Sequence, residues 1–169
     1  AYPASYDVVI TADGHATGVI AGVPVASSTS VTTISTSGAP FTLATSTSQN
    51  LNGTVTLNPA DDDGNVHVVA KQTLNPGPTV TVKSQVATLL TGNPVGDYSY
   101  ALALPVAAPA LGHYSSSLPI TLTAGAQGAV AGVYTAEGSA QTDTTAYSTQ
   151  TPSPSPVNIP ATQNFTLTP

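Results

Sequence analysis

The chain has 169 residues, enough for one domain or for one domain plus part of a second, and it can bury a core without disulfides. Two lysines, no arginine and eight acidic residues leave a formal charge of −6, and charged residues make up 6% of the chain against roughly 25% in an ordinary globular domain. So few cations argue against nucleic acid and anionic membrane surfaces as partners, and the absence of cysteine removes disulfides, zinc thiolates and iron–sulfur clusters.

Ser, Thr, Asn and Gln do the solvating instead, a composition expected of a secreted or cell-surface protein. No run of about 18 apolar residues is available to cross a membrane. The N-terminus lacks the basic-then-apolar form of a signal peptide. An exported protein is therefore expected here in mature form, without the hydrophobic N-terminal helix that a type IV pilin retains.

Fifteen Pro and fourteen Gly break almost every helical window, while Thr and Val are abundant. The chain reads as all-β. Tyr6–Ala12 is a first strand closed by Asp13-Gly14, Gly18–Val25 a second, and Ser27–Ile34 alternates around Val31 and Ile34. Phe41-Thr42-Leu43 is brief, and Thr45–Ser48 reads as a linker or an exposed edge. Thr54–Leu57, the turn Asp61-Asp62-Asp63-Gly64, Val66–Ala70 and Thr79–Lys83 follow. Ser84–Leu90 is the best helical segment, of one or two turns. The central strand is Gly96–Pro105, where Tyr98, Tyr100, Leu102 and Leu104 alternate with small or polar residues and so share one face. Leu118–Thr123, Gly132–Ser139 and Asn164–Thr168 complete the set, with Thr151–Pro156 an extended Pro-alternating loop. Short strands separated by turn signals predict a β-sandwich of mostly antiparallel strands, with a partly closed barrel as the alternative.

Two stretches look alike. Tyr6, Ala12-Asp13-Gly14 and Phe41-Thr42-Leu43 are echoed by Tyr134, Ala136-Glu137-Gly138 and Phe165-Thr166-Leu167. Around the second copy stand Gly53-Thr54-Val55, Gly96-Asp97-Tyr98 with Leu104-Pro105, Val133–Gly138 and Phe165-Thr166-Leu167. This order resembles the carboxypeptidase-regulatory-like, or transthyretin-like, β-sandwich family over residues 51–169. The family opens on a Gly-Thr-Val strand and passes through Gly-x-Tyr to Leu-Pro. It continues to a Tyr strand ending in Ala-x-Gly and closes on Phe-x-Leu. The chain departs from that pattern in a long insert before Thr151–Pro156 and in Gly138, which is expected to spoil the Tyr134 strand. The resemblance implies an Ig-like or transthyretin-like sandwich at 49–169, preceded by a half module or strand-exchange segment at 1–48. A half module either packs onto the full one or takes a strand from a neighbour. The second route gives head-to-tail contacts between copies of the chain, which build filaments when they do not close.

Candidate chemistry is sparse. Asp61, Asp63 and Asn65 could supply oxygens to calcium, although no EF-hand spacing follows and a solvated turn accounts for the same residues. His15, His67 and His113 are too far apart in sequence for a zinc motif, and no Gly-x-Ser-x-Gly elbow marks a nucleophile. Glu137 is the lone Glu, so the carboxylate pair of a glycosidase is not in evidence. Among seven Tyr, Tyr98, Tyr100 and Tyr134 read as core, whereas Tyr2, Tyr6, Tyr114 and Tyr147 are candidates for exposure. Asn52-Gly53-Thr54 and Asn164-Phe165-Thr166 match the N-glycosylation pattern, and Ser and Thr near Pro suit O-glycosylation. Lys71 and Lys83 are too few for a basic patch, and Lys83 reads as a solvated side chain or an edge gatekeeper.

The expectation is a non-catalytic extracellular structural protein, a pilus-like filament or surface-assembly subunit joined by strand sharing. The alternative is a carbohydrate-binding or adhesive module. No cofactor is expected beyond calcium at the acidic turn. The expected partners are copies of itself and glycans, with no nucleic acid and no membrane insertion.

Overall fold

The computed structural model describes residues 4–25, 27, 29, 43–73, 79–91, 95–107, 110–111 and 133–169, and among them there is no helix. Strands β1 (Ala4–Ile10) and β2 (Gly18–Val25) form an antiparallel hairpin. Next come β3 (Ser48–Leu57), β4 (Asn65–Thr73), β5 (Thr79–Val86), β6 (Thr88-Leu89), β7 (Asp97–Pro105) and β8 (Ala110-Leu111). The last third supplies β9 (Val133–Gln141), β10 (Ala146–Gln150), β11 (Val157-Asn158), β12 (Ala161-Thr162) and β13 (Phe165–Leu167).

These strands build a β-sandwich of two facing sheets, as the turn-punctuated alternation predicts. One sheet runs β10-β9-β4-β5 with β11 also on β9. The other runs β12-β3-β7-β6 with β13 also on β3. Most pairs are antiparallel, but β12 and β13 run parallel to β3. Besides the β3–β4 turn, two corners among the described residues carry the chain from one sheet to the other. After pairing with β4, β5 passes through Ala87, whose N–H donates to Val66 O, into β6 beside β7. At the other corner β10 leads through the Pro-alternating segment to β11 on β9, and then to β12 on β3.

The core follows from period-2 patterning. On β7 the inward residues Tyr98, Tyr100, Leu102 and Leu104 are all buried, Leu102 and Leu104 completely. They share one cluster with Val66, Val68 and Ala70 of β4 and Tyr134 and Ala136 of β9, to which Leu51, Val55, Leu57, Phe165 and Leu167 also belong. Each fully buried Leu contributes about 2 kcal/mol of transfer free energy.

Several expectations change. Ser84–Leu90 is not helical: Ser84, Gln85 and Val86 pair with Val69, Val68 and His67, and Thr88-Leu89 pair with β7. A seven-residue helix cannot repay its nucleation cost, whereas ladders on both sheets satisfy the same backbone groups. Gly138 does not spoil its strand, because β9 continues through it to Gln141. The segment Ala146–Gln150 is a strand that the alternation did not reveal, and it buries Tyr147. The two Ala-acidic-Gly echoes differ in local structure. Ala12-Asp13-Gly14 is a turn with Gly14 at φ 74°, whereas Ala136-Glu137-Gly138 lies inside β9. Val31, Ile34, Phe41, Thr42 and Leu118–Thr123 lie outside the described residues.

The stretch 1–48 contributes the β1–β2 hairpin, which forms its own three-stranded sheet with β8. The turn of that hairpin is bonded to the segment leading into β3, Ala16 N donating to Ala44 O (2.8 Å) and Ser46 N to Gly14 O (2.9 Å). Val9 packs against the sandwich core.

Candidate functional site

One end of the sandwich gathers acidic residues. Asp61, Asp62 and Asp63 lie in the β3–β4 turn, and Asp143, in the β9–β10 turn, is close enough to act on Asp63. The Asp63 N–H donates to Asp61 Oδ1 (3.2 Å), and backbone hydrogen bonding of this kind holds the Asp61 carboxyl below its ordinary range. Hydrogen bonding with the Asp61 side chain, then desolvation and the negative charges of Asp61, Asp143 and Asp62, raise Asp63. Tyr98 supports the turn from beneath. Its hydroxyl accepts from Gly64 N (2.8 Å) and donates to Asp61 O (3.1 Å). Asn65 opens β4 beside this turn. These hydrogen bonds brace the turn that carries Asp61, Asp63 and Asn65, and among the described residues no group of three His, Asp or Glu side chains is arranged to hold a metal.

A groove of about 530 Å³ lies between the β1–β2 turn and the sandwich, lined by His15, Thr17, Ser48, Thr81, Ser84 and neighbouring residues. Lys83 crosses it to Asp13 Oδ1 at 2.8 Å, an ion pair that sequence spacing cannot reveal across 70 residues. Lys71 likewise pairs with Glu137 Oε2 at 2.6 Å on adjacent β4 and β9. His15 Nδ1 lies 2.9 Å from Asp13 O within its own turn. His67 faces solvent on β4 opposite Val66 and Val68, and His113 lies outside the described residues.

Of the tyrosines expected at the surface, Tyr6 is 51% exposed and Tyr147 is buried, its hydroxyl donating to Pro59 O at 2.7 Å. That bond ties β10 to the β3–β4 turn. Tyr2 and Tyr114 lie outside the described residues.

The third feature is a trough of about 460 Å³ on the outer face of the β3–β7 sheet. The pairing places Thr54, Ser99 and Thr88 on one cross-strand rung, and Asn52 beside Ala101 on the next rung of the same face. Gln85 reaches in from the β5–β6 corner, its Oε1 accepting from Ala101 N (3.2 Å). From the other side Asn164 Oδ1 accepts from Thr54 N (3.0 Å), filling the gap in the ladder between β12 and β13. Both glycosylation candidates, Asn52 and Asn164, therefore line one depression. Asn52 is exposed, whereas Asn164 uses its amide oxygen to complete the sheet. Gln85, Thr88, Ser99 and Ala101 were not legible as site residues. Their signal, outward polar or small residues at alternate positions, becomes a site only when the neighbouring strand is known.

No protein-family model, no curated protein and no solved structure matches this chain.

Proposed function

We propose that the protein is a non-catalytic structural subunit of an extracellular filament or surface assembly, in which copies of the chain join head to tail by sharing β-strands. The observation that carries this reading is the outer edge of β1. Among the described residues no strand pairs with it, although β2 covers its inner side. An open edge presents unpaired N–H and C=O groups to any passing strand, and β-strand addition satisfies them with main-chain hydrogen bonds. On β1, Tyr6 is exposed while Val8, Val9 and Ile10 are half-buried, so an added strand would find apolar area as well as hydrogen-bonding groups. A head-to-tail contact made this way uses two different surfaces of the subunit, the geometry that propagates when it does not close. The charge-poor, Ser- and Thr-rich surface opposes close approach of identical copies only weakly.

The experiment is negative-stain electron microscopy of native material, paired with size analysis of the recombinant chain over a wide concentration range. Regular fibres are expected. A Tyr6→Lys/Val8→Lys variant, which puts charge on the edge, should keep its thermal stability and lose assembly. A wild-type chain that stays monomeric at the highest concentration, with native material free of fibres, sinks the reading.

A further inference from the structure

The trough on the β3–β7 face has a chemistry that the structural role does not use. Its floor is low because the central strand presents Ser99 and Ala101 outward. The rungs stand roughly 7 Å apart along the strands, and three strands span roughly 10 Å across them. The volume, about 460 Å³, falls within the ordinary range for small-molecule sites, about 300–1,000 Å³.

Two of the polar groups are fixed. The amide oxygens of Gln85 and Asn164 are identified by their partners, because a backbone N–H can only donate to oxygen. Each carboxamide is thus held at one end, with both hydrogens of its NH2 group left for a ligand. Asn52 adds an exposed amide with donor and acceptor sides, the hydroxyls of Thr54 and Thr88 can act in either sense, and that of Ser99, which donates to Thr88 O (3.4 Å), offers its lone pairs. Among the described residues no Asp, Glu, Lys or His lines the trough. A charged ligand would find no counter-charge there, and an apolar one would strand the amides. Alternating donors and acceptors on an uncharged surface match the hydroxyl groups of a sugar.

We infer that this trough seats a neutral saccharide of one or two rings. With the hydrogen bonds open to water and no exposed aromatic face among the lining residues, a single site holds it with Kd on the order of 1 mM. The saccharide has two sources, a free glycan or one carried by the chain itself at Asn52. Attachment would join the Asn52 amide nitrogen to the anomeric carbon of a lipid-diphosphate-linked sugar donor, releasing the lipid diphosphate and a proton.

The test uses the full recombinant chain made in a host without N-glycosylation. Saturation-transfer NMR is run against glucose, galactose, mannose, N-acetylglucosamine and their disaccharides, with glucuronic acid as the charged comparison. At least one neutral sugar should bind and glucuronic acid should not. Ala101→Phe, which fills the floor at an exposed position, should weaken binding at least about tenfold with thermal stability retained. Asn52→Ala should weaken it roughly three- to fivefold. No binding up to about 10 mM, binding indifferent to Ala101→Phe, or preference for the charged sugar each overturns the inference. Intact-mass analysis of native material separates the sources. A sugar increment located on Asn52 assigns the saccharide to the chain, and an unmodified Asn52 assigns it to a free glycan.

Discussion

Gly138 of β9 lies directly against the ring of Phe165 of β13, so that a Cβ on Gly138 would stand 2.9 Å from Phe165 Cδ1. The two residues belong to opposite sheets, and the missing side chain is what lets the ring lie between them. Phe165 also meets Tyr100 edge-on, with centroids 5.8 Å apart at 63°.

Gly138→Ala should therefore destabilise the fold, despite the better strand propensity of Ala, by about 1–3 kcal/mol through overpacking. Urea unfolding measures this directly. The double variant Gly138→Ala/Phe165→Leu should show a cost smaller than the sum of its single changes, since the two side chains compete for one space.

High pH should unfold the sandwich through its tyrosines. The Tyr134 hydroxyl donates to Pro105 O (2.5 Å), and burial pushes its pKa up to about 12. Burial raises Tyr100 as well, while its hydroxyl donates to Gln163 O (2.8 Å). A folded pKa above the unfolded value of about 10 gives stability that is fully present below pH ~10 and is lost as pH rises towards ~12. For Tyr134 alone the loss is about 3 kcal/mol. Tyrosinate absorbance and circular dichroism, recorded together, should show a step in ionisation coincident with unfolding. Tyr134→Phe should shift that step to higher pH.

The Asp13–Lys83 pair should govern how firmly the β1–β2 hairpin sits on the sandwich. The hydrogen bond and charge of Lys83 lower the Asp13 pKa. Its contribution is therefore present above the ordinary carboxylate pKa and lost as pH falls through the lowered one. Lys83→Ala should speed amide hydrogen exchange in β1 and β2 by roughly two- to fivefold and leave β4 and β7 unchanged. Raised salt should reproduce part of the effect.

Calcium should leave the melting temperature within about 1 °C of its value in chelator. The reason is geometric, since Asp61 Oδ1 is already engaged by Asp63 N–H and Asn65 begins a strand. Thermal unfolding with and without the ion is the measurement. A larger rise that disappears in Asp63→Asn would assign calcium to this turn.

Much of the sandwich was legible because burial on one face of a strand imposes period 2. Tyr98, Tyr100, Leu102 and Leu104 announced β7, and Gly18–Val25 is β2 as its apolar run predicted. Boundaries were poorer where polar residues extend a strand. β3 begins at Ser48 rather than Thr54, since Asn50 and Asn52 face solvent yet pair along β7. Ser84–Leu90 misled because a short Leu- and Ala-containing run carries no local mark of the two ladders that claim it. β10 escaped because Ala146–Gln150 buries only Tyr147.

By itself the sequence determined the fold class, the core face of the central strand, the turns and the low charge content, all of which depend on residue type and nearest-neighbour spacing. Tertiary structure alone decided that Asn52, Gln85, Thr88, Ser99 and Asn164 share one trough, that Lys83 reaches Asp13, and that Gly138 makes room for Phe165. Each of these joins residues from separate strands. Strand order and register bring them together, and no local preference encodes a contact that exists only once the sheets have formed.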